Sequence, residues 1–426
     1  MNKDHFGYYL VGSLKTYSKI EALEYAHLVR TPVKWIFNDD VFSKHPWHID
    51  TQENLKKLYK QRAEQIRKKY DYIVIWYSGG VDSFTVLNTF RENNLHVDEI
   101  AQFHAHEGEK TWDSYLNIEV KTVAIPQTQE FLNVMPNTKH RLVDLTPIIK
   151  SVFNEDHNKF DFIYKSNHSF GPHQLARTYV REKISDWAKI IASGKKLCFV
   201  WGADKPPVMY DETENKYYIE FFDIIDGNGV GPRIQMMNRK EDNDEFFYWS
   251  TDSIDILARQ GHIVKNYLRN PPKEDLDSRY LTSDPYNWVL AYNGEYVPYS
   301  YRRPATKINN KMYYLTPDGL NRLIYPDWKE GTFTVGKNIG YIFGPRDRWW
   351  WEAHRADDQT RFIGAIKSIY KKFDLWGFHN FKWHRNNFTK NVPALPEHIR
   401  SKVPSSVDFR NLSIDVFCSE RHYLEI

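Results

Sequence analysis

The sequence predicts an α/β protein: a mostly parallel, doubly wound sheet with N- and C-terminal additions. Three observations carry this. Two unbroken apolar runs, Ile73–Tyr77 and Leu197–Trp201, have the β-branched and aromatic make-up of strands buried on both faces. Each is followed by glycine, Gly79-Gly80 after the first and Gly202 after the second. Segments of helical period lie between the runs, as crossover connections of a parallel sheet require.

The chain has 426 residues, enough for two or three units or one decorated domain. Hydrophobic residues make up 41% and charged residues 27%, the balance of a globular protein. Aromatic content is 16%, which favours large packing surfaces and ring stacking. A net charge of +3 does not by itself point to nucleic acid. Two cysteines, Cys198 and Cys418, exclude a disulfide framework and a four-cysteine metal or iron–sulfur site. No secretory signal is visible after Met1, and no run reaches the ~18 apolar residues of a spanning helix, so the cytoplasm is the expected compartment, that of a host if the chain is viral.

Residues 1–54 read as an N-terminal extension. Ser18 with Glu21 makes a capping-box start for a helix, and Thr31–Phe37 reads as a short strand stopped by Asn38-Asp39-Asp40. Residues 51–70 form an amphipathic helix with Leu55, Leu58, Tyr59, Ala63, Ile66 and Tyr70 on one side. Its other face carries Lys56, Lys57, Lys60, Arg62, Arg67, Lys68 and Lys69, either a solvated face or a nucleic-acid contact.

The strand Ile73–Tyr77 leads into Ser78-Gly79-Gly80-Val81-Asp82-Ser83 and then a helix with Val86, Leu87 and Phe90 on one face. A buried strand, a glycine pair and a helix start make an anion site. Glycines let backbone N–H groups approach a phosphate, and the helix end adds free donors and the positive end of its dipole. Ser78 and Ser83 add hydroxyls, and Asp82 suits Mg²⁺ carried in with a nucleotide.

This SGGVDS stretch resembles the pyrophosphate loop of the PP-loop ATP pyrophosphatases, the Rossmann-like adenine nucleotide α-hydrolase superfamily. It is not a Walker A loop, since no Gly-Lys-Ser/Thr follows. Together with the Ser-Lys-x-Glu-Ala and Trp-x-Phe-Asn-Asp stretches near the start, it looks closest to phage- or virus-encoded phosphoadenosine phosphosulfate (PAPS) reductase-like proteins. The resemblance is specific for residues 55–270 and implies ATP and Mg²⁺ as cofactors, or PAPS as the alternative. It implies a loop of Ser78, Gly79, Gly80, Val81, Asp82 and Ser83 around pyrophosphate, and adenine near Phe103 and His104, where the strand Val97–His104 ends.

Further on, Val120–Ile125 reads as a strand and residues 153–169 as a loop. His173–Ile191 reads as a helix buried through Ala176, Val180, Ile184, Trp187 and Ile191. His173, Arg177 and Arg181 share another of its faces and could hold phosphate or an acidic substrate. After the strand Lys196–Trp201, Gly202-Ala203-Asp204-Lys205-Pro206-Pro207 resembles in position the acid-bearing loop of asparagine synthetase-type members. That implies Asp204 beside Asp82 as a metal ligand and Lys205 as a cation on pyrophosphate. The PAPS reductases carry Gly-x-Arg and a later Glu-Ser here, which this chain lacks. Tyr217–Ile225 and Arg233–Met237 read as strands around the Asp226–Gly229 turn, and 239–245 as a charged loop. A helix capped by Ser250 or Asp252 runs to Leu268, with His262 open in role.

Pro271-Pro272 marks the start of an aromatic-rich C-terminal region, 271–426. There Arg348–Glu352 and the stretch Trp376–Arg385 interleave rings and cations, as a small core or a nucleic-acid surface would. Three readings follow. The first is an enzyme that cleaves ATP to AMP and pyrophosphate, adenylating an acceptor for amine or other group transfer. The second is a PAPS reductase or sulfotransferase, which would lean on Cys418. The third is a nucleotide-binding module without turnover that engages nucleic acid.

Overall fold

The computed structural model describes residues 8–16, 34–103, 120–144, 184–202, 208–221, 242–284 and 304–333, three strand segments at 287–290, 296–299 and 422–425, and a few single positions. Five parallel strands form the central sheet, in the order Asp242–Phe246, Leu197–Trp201, Tyr72–Trp76, Glu99–Phe103, Lys139–Val143. Every residue of the middle strand Tyr72–Trp76 is buried, which explains its lack of polar alternation.

The chain moves outward in one direction from Tyr72–Trp76 to Glu99–Phe103 and Lys139–Val143. It then returns to lay Leu197–Trp201 against the other side of the middle strand. The order therefore reverses between Tyr72–Trp76 and Leu197–Trp201. At such a switch point the connections leave to opposite faces and open a crevice at the carboxyl ends of the strands.

Helices cover both faces. Trp187 of the helix Ser185–Ala192 meets Trp76 edge to face at 5.6 Å and Phe199 at 4.8 Å. On the opposite face Arg62 of the helix Leu55–Lys69 reaches Glu245 at 2.7 Å. The helix Ile125–Val134 packs beside the helix Val81–Glu92 through Phe131 and Phe84, ring centroids 5.3 Å apart.

Four expectations need correction. Val120–Ile125 is not a strand: Val120–Ala124 is a π-helical turn leading into Ile125–Val134. Its β-branched residues suggested extension, but Val120, Val123, Ala124, Thr128 and Phe131 are buried at helical intervals. The third strand of the sheet lies later, at Lys139–Val143. Residues 239–245 are not a loop throughout, because Asp242–Phe246 is the edge strand. Asp244 and Glu245 are buried with partners: Glu245 takes Arg62, Lys69 and Tyr70, and Asp244 accepts from Trp201 Nε1 at 2.8 Å. His173–Ile191 is not one continuous helix, since Ile184 is extended (φ −99°, ψ 101°) and a helix starts afresh at Ser185. Finally, Arg62 does not lie on a solvated basic face but is 1% exposed. Arg67 and Lys69 also turn to Asp98 and Glu245, while Lys57 and Lys60 pair with Glu53 and Glu64.

The first segment forms a three-stranded antiparallel sheet of Tyr8–Val11, Leu14–Thr16 and Lys34–Ile36. Asn38, in the left-handed region at φ 53°, ends it and opens the short helix Asp39–Phe42. Arg259 of the helix Ile254–Arg269 clasps Asp50 through two bonds of 2.8 and 2.9 Å. His262, from the same helix, is buried with Nε2 2.8 Å from the Trp47 carbonyl. The carbonyl only accepts, so Nε2 carries the proton, and burial lowers the ring's pKa; the histidine is a packing residue. Ser250 supplies the cap, accepting from Asp252 N at 3.1 Å.

Val208–Asp211 and Lys216–Phe221 pair as a hairpin, and His422–Glu425 joins its other edge. A second hairpin, Ala305–Ile308 with Lys311–Leu315, turns through Asn309 and Asn310, both at positive φ. The helix Pro317–Ile324 follows, capped by Thr316. It brings the Ile324 carbonyl to the Tyr59 hydroxyl at 2.6 Å, and Asp327 then accepts from Asn88 at 2.8 Å. Residues 313–333 thus share the hydrophobic core of the sheet. Ser18, the loop 153–169, the strand and turn at 226–237 and the stretches 348–352 and 376–385 lie outside the described residues. Among the described residues no helix is long and apolar enough to cross a membrane.

Candidate functional site

The Ser78–Ser83 loop joins the carboxyl end of the middle strand to the helix Val81–Glu92, at the switch point of the sheet. Tyr77 continues the sheet by donating its N–H to the Ala101 carbonyl at 2.9 Å. The chain then turns at Gly79, whose φ of +84° favours glycine. A side chain there would also stand 3.0–3.1 Å from Ala124 of the π-helical turn, so backbone meets backbone on this flank. Gly80 is extended and occupies the N-cap without a side chain to close the helix end. A Cβ on Gly80 would fall 2.7 Å from Asp82 Oδ1.

The loop holds its shape through its own serines. The Ser83 hydroxyl, on a residue 4% exposed, accepts from Ser78 N at 3.2 Å and donates to the Gly80 carbonyl at 3.1 Å. Ser78 Oγ lies 3.2 Å from it and accepts from Gly80 N at 3.3 Å. Asp82 Oδ1 accepts from Ser83 N at 2.9 Å, leaving its second oxygen for another partner. Among the described residues, the N–H groups of Gly79, Val81 and Asp82 have no acceptor. Three such donors at a helix start, beside an exposed serine hydroxyl, form a cradle of fixed positive potential suited to phosphate oxygens.

Gly202 forms the second wall. A Cβ on it would stand 2.8 Å from Ser83 Cα and 2.9 Å from Ser83 N. The end of the strand Leu197–Trp201 therefore abuts the loop through bare backbone. Asp204 and Lys205, which follow Gly202, lie outside the described residues, as do His104, His173, Arg177 and Arg181. Phe103 is described: it stacks on Trp76 with centroids 4.1 Å apart, at the strand end next to the loop.

Asp82 is half-buried at the crevice. Among the described residues no group of three or more His, Cys, Asp or Glu side chains converges as a metal site. A single carboxylate is nevertheless the usual protein share for a Mg²⁺ ion that arrives on phosphates and keeps its waters, so the donor set fits that ion. Cys198 is fully buried, and burial pushes its thiol up, with Glu245 and Asp244 adding to the rise; it is not a nucleophile.

Two residues that support the loop carry no role at it in the sequence reading: Gln102, and Tyr248, whose Tyr-Trp-Ser stretch reads as packing for the sheet. Tyr248 is fully buried and donates its hydroxyl to the Asp82 carbonyl at 2.8 Å. Gln102 donates to the Ala124 carbonyl at 2.9 Å, fixing the turn on which Gly79 rests. The available signal for Tyr248 was the aromatic run Phe246–Trp249. That run directly follows the edge strand Asp242–Phe246, so it emerges at the same carboxyl edge of the sheet as the loop.

No protein-family model matches the chain. No curated protein matches it either. Among solved structures it is similar to an NH3-dependent NAD synthetase from Campylobacter jejuni, in complex with nitrate ion, at 11% identity and a TM-score of 0.25, over 36% of this chain and 58% of that one. It is also similar to an NMN synthetase from Francisella tularensis at 10% identity and a TM-score of 0.24, over 36% of this chain and 56% of the other. The match thus covers little more than half of each neighbour.

Proposed function

We propose that the chain is a PP-loop-type enzyme that binds ATP with Mg²⁺, releases pyrophosphate and adenylates an acceptor. The observation that carries this is the set of N–H groups of Gly79, Val81 and Asp82 that have no acceptor among the described residues, at the switch point of a parallel sheet. The left-handed Gly79 and the SGGVDS sequence of the loop support the same reading.

In this reading those N–H groups and the Ser78 hydroxyl hold the β- and γ-phosphates, and Ser83 keeps the loop in shape. Phe103 and His104 lie toward the adenine, and His173, Arg177 and Arg181 serve an acidic substrate or phosphate. Asp82, with Asp204, would hold Mg²⁺, whose charge would offset that of the phosphate oxygens. Asp204 is two residues beyond Gly202, a covalent reach of about 7 Å from a backbone that touches Ser83. An acceptor oxygen attacks the α-phosphorus. The bond from that phosphorus to the α,β-bridging oxygen breaks, and its electron pair leaves on pyrophosphate, next to Lys205. A nucleophile, an amine in the simplest case, then displaces AMP from the acceptor. The chain's part in the first step is placement and charge stabilisation.

Thermal shift with ATP, a non-hydrolysable ATP analogue, PAPS, AMP and pyrophosphate, each with and without Mg²⁺, tests the binding half. We expect ATP, its analogue and pyrophosphate to stabilise the protein with Mg²⁺, and AMP to do so less. Stabilisation by PAPS alone, or by none of these, would overturn the reading. Pyrophosphate release in the presence of candidate acceptors tests the chemistry.

A further inference from the structure

We propose that Tyr248 is a positioning residue of the Ser78–Ser83 loop, holding the Asp82–Ser83 peptide in its binding orientation from beneath. The inference rests on the loop being the phosphate site proposed above and assigns a role to a residue 166 positions away.

Asp82 is the second residue of its helix, so its carbonyl already serves the N–H four residues on. A carbonyl has two lone pairs, and the Tyr248 hydroxyl takes the second at 2.8 Å. The ring cannot swing away: it packs on Tyr59, Phe247 and Tyr325 with centroids 5.1–5.4 Å apart. From the side, Gly202 backbone stands against Asp82 C and Ser83 N. The same peptide is thus fixed by a hydroxyl from below and by a strand end from beside. A peptide group is planar, so a pinned carbonyl sets the direction of the next N–H and the tilt of the first helical turn. The donors of Val81 and Asp82 belong to that turn.

Tyr59 supplies the control. It is buried in the same tyrosine cluster and also donates to a carbonyl, that of Ile324 at 2.6 Å, away from the loop. The experiment compares Tyr248→Phe with Tyr59→Phe in the full chain. It reads thermal midpoint, affinity for pyrophosphate with Mg²⁺, and hydrogen exchange at the Ser83 and Phe84 amides. Both variants should lose stability, Tyr59→Phe the more, because its hydroxyl also accepts from Gln260 Nε2 at 2.8 Å. Tyr248→Phe alone should speed exchange at Ser83 and Phe84 and weaken pyrophosphate binding about three- to tenfold, the worth of one hydrogen bond. Unchanged exchange in Tyr248→Phe, or equal loss of affinity in Tyr59→Phe, would overturn the proposal. Exchange needs no ligand, so it decides the positioning role by itself. Failure of the wild-type protein to bind pyrophosphate would instead sink the phosphate-site reading.

Discussion

Gly202 and Ser83 meet backbone to backbone: a methyl group on Gly202 would stand 2.8 Å from the Ser83 Cα and 2.9 Å from its nitrogen. Neither atom is the end of a flexible side chain, so Gly202→Ala must push the strand Leu197–Trp201 and the loop apart. We expect a stability loss of about 1–3 kcal/mol, as for other overpacked sites, together with weaker ATP binding. Gly194→Ala is the comparison. Gly194 has φ +83° and open space around it, so it should lose stability through backbone strain and leave ATP binding intact. Isothermal titration and thermal unfolding of both variants check the pair. Equal ATP affinity in the two would show that the close approach has no bearing on the site.

Asp82→Asn separates chemistry from folding. Asp82 sits in the first turn of its helix, where its charge favours the dipole by less than about 1 kcal/mol. As a proposed metal ligand, its loss should lower pyrophosphate release on the order of a hundredfold or more. The thermal midpoint should change little. Wild-type turnover in the variant would remove the metal role.

The middle of the fold was legible because it is local. The unbroken apolar run at Ile73–Tyr77, the paired glycines and the helical period after them each report burial within a few residues. The edge strand Asp242–Phe246 was not legible, because what permits its buried acids lies far away in the chain. Arg62, which neutralises Glu245, is 183 residues distant. The helical state of Val120–Ala124 was hidden for the opposite reason. Local β-branching favoured a strand, and the tertiary contacts of Val120, Val123 and Ala124 overrode it. At the site, sequence supplied the loop itself, while its supports Tyr248 and Gln102 come from segments that only the sheet brings together.

The two cysteines offer a test of the sulfur route. Cys198→Ser places a hydroxyl in a fully buried strand and should lower stability by about 1–3 kcal/mol. Nucleotide binding and pyrophosphate release should persist in Cys198→Ser and in Cys418→Ser. Loss of turnover in Cys418→Ser with unchanged stability would favour the PAPS-type chemistry over adenylation.

The ion pair of Arg62 and Glu245 should dominate acid stability. Burial alone would raise the Glu245 carboxyl, but the charges of Arg62 and Lys69, with hydrogen bonds from Lys69 and Tyr70, hold it down to about 2 from its usual 4.5. A carboxyl lowered on folding stabilises the protein fully above its unfolded value, and that contribution disappears as pH falls through the folded one. Stability should therefore drop between pH 4.5 and about 2. Glu245→Gln should flatten the curve across this window while costing about 3–5 kcal/mol at neutral pH, because Arg62 is left buried without its counter-charge. Arg62→Met should carry a similar penalty, with Glu245 still answered in part by Lys69. Removing both charges, as Arg62→Met with Glu245→Gln, should destabilise less than the sum of the single changes, since no unpaired charge is then buried. Denaturant unfolding of the four proteins at pH 7 and pH 3.5 decides it. Strictly additive losses with a pH dependence like the wild type's would mean that the pair is not the source of the acid sensitivity.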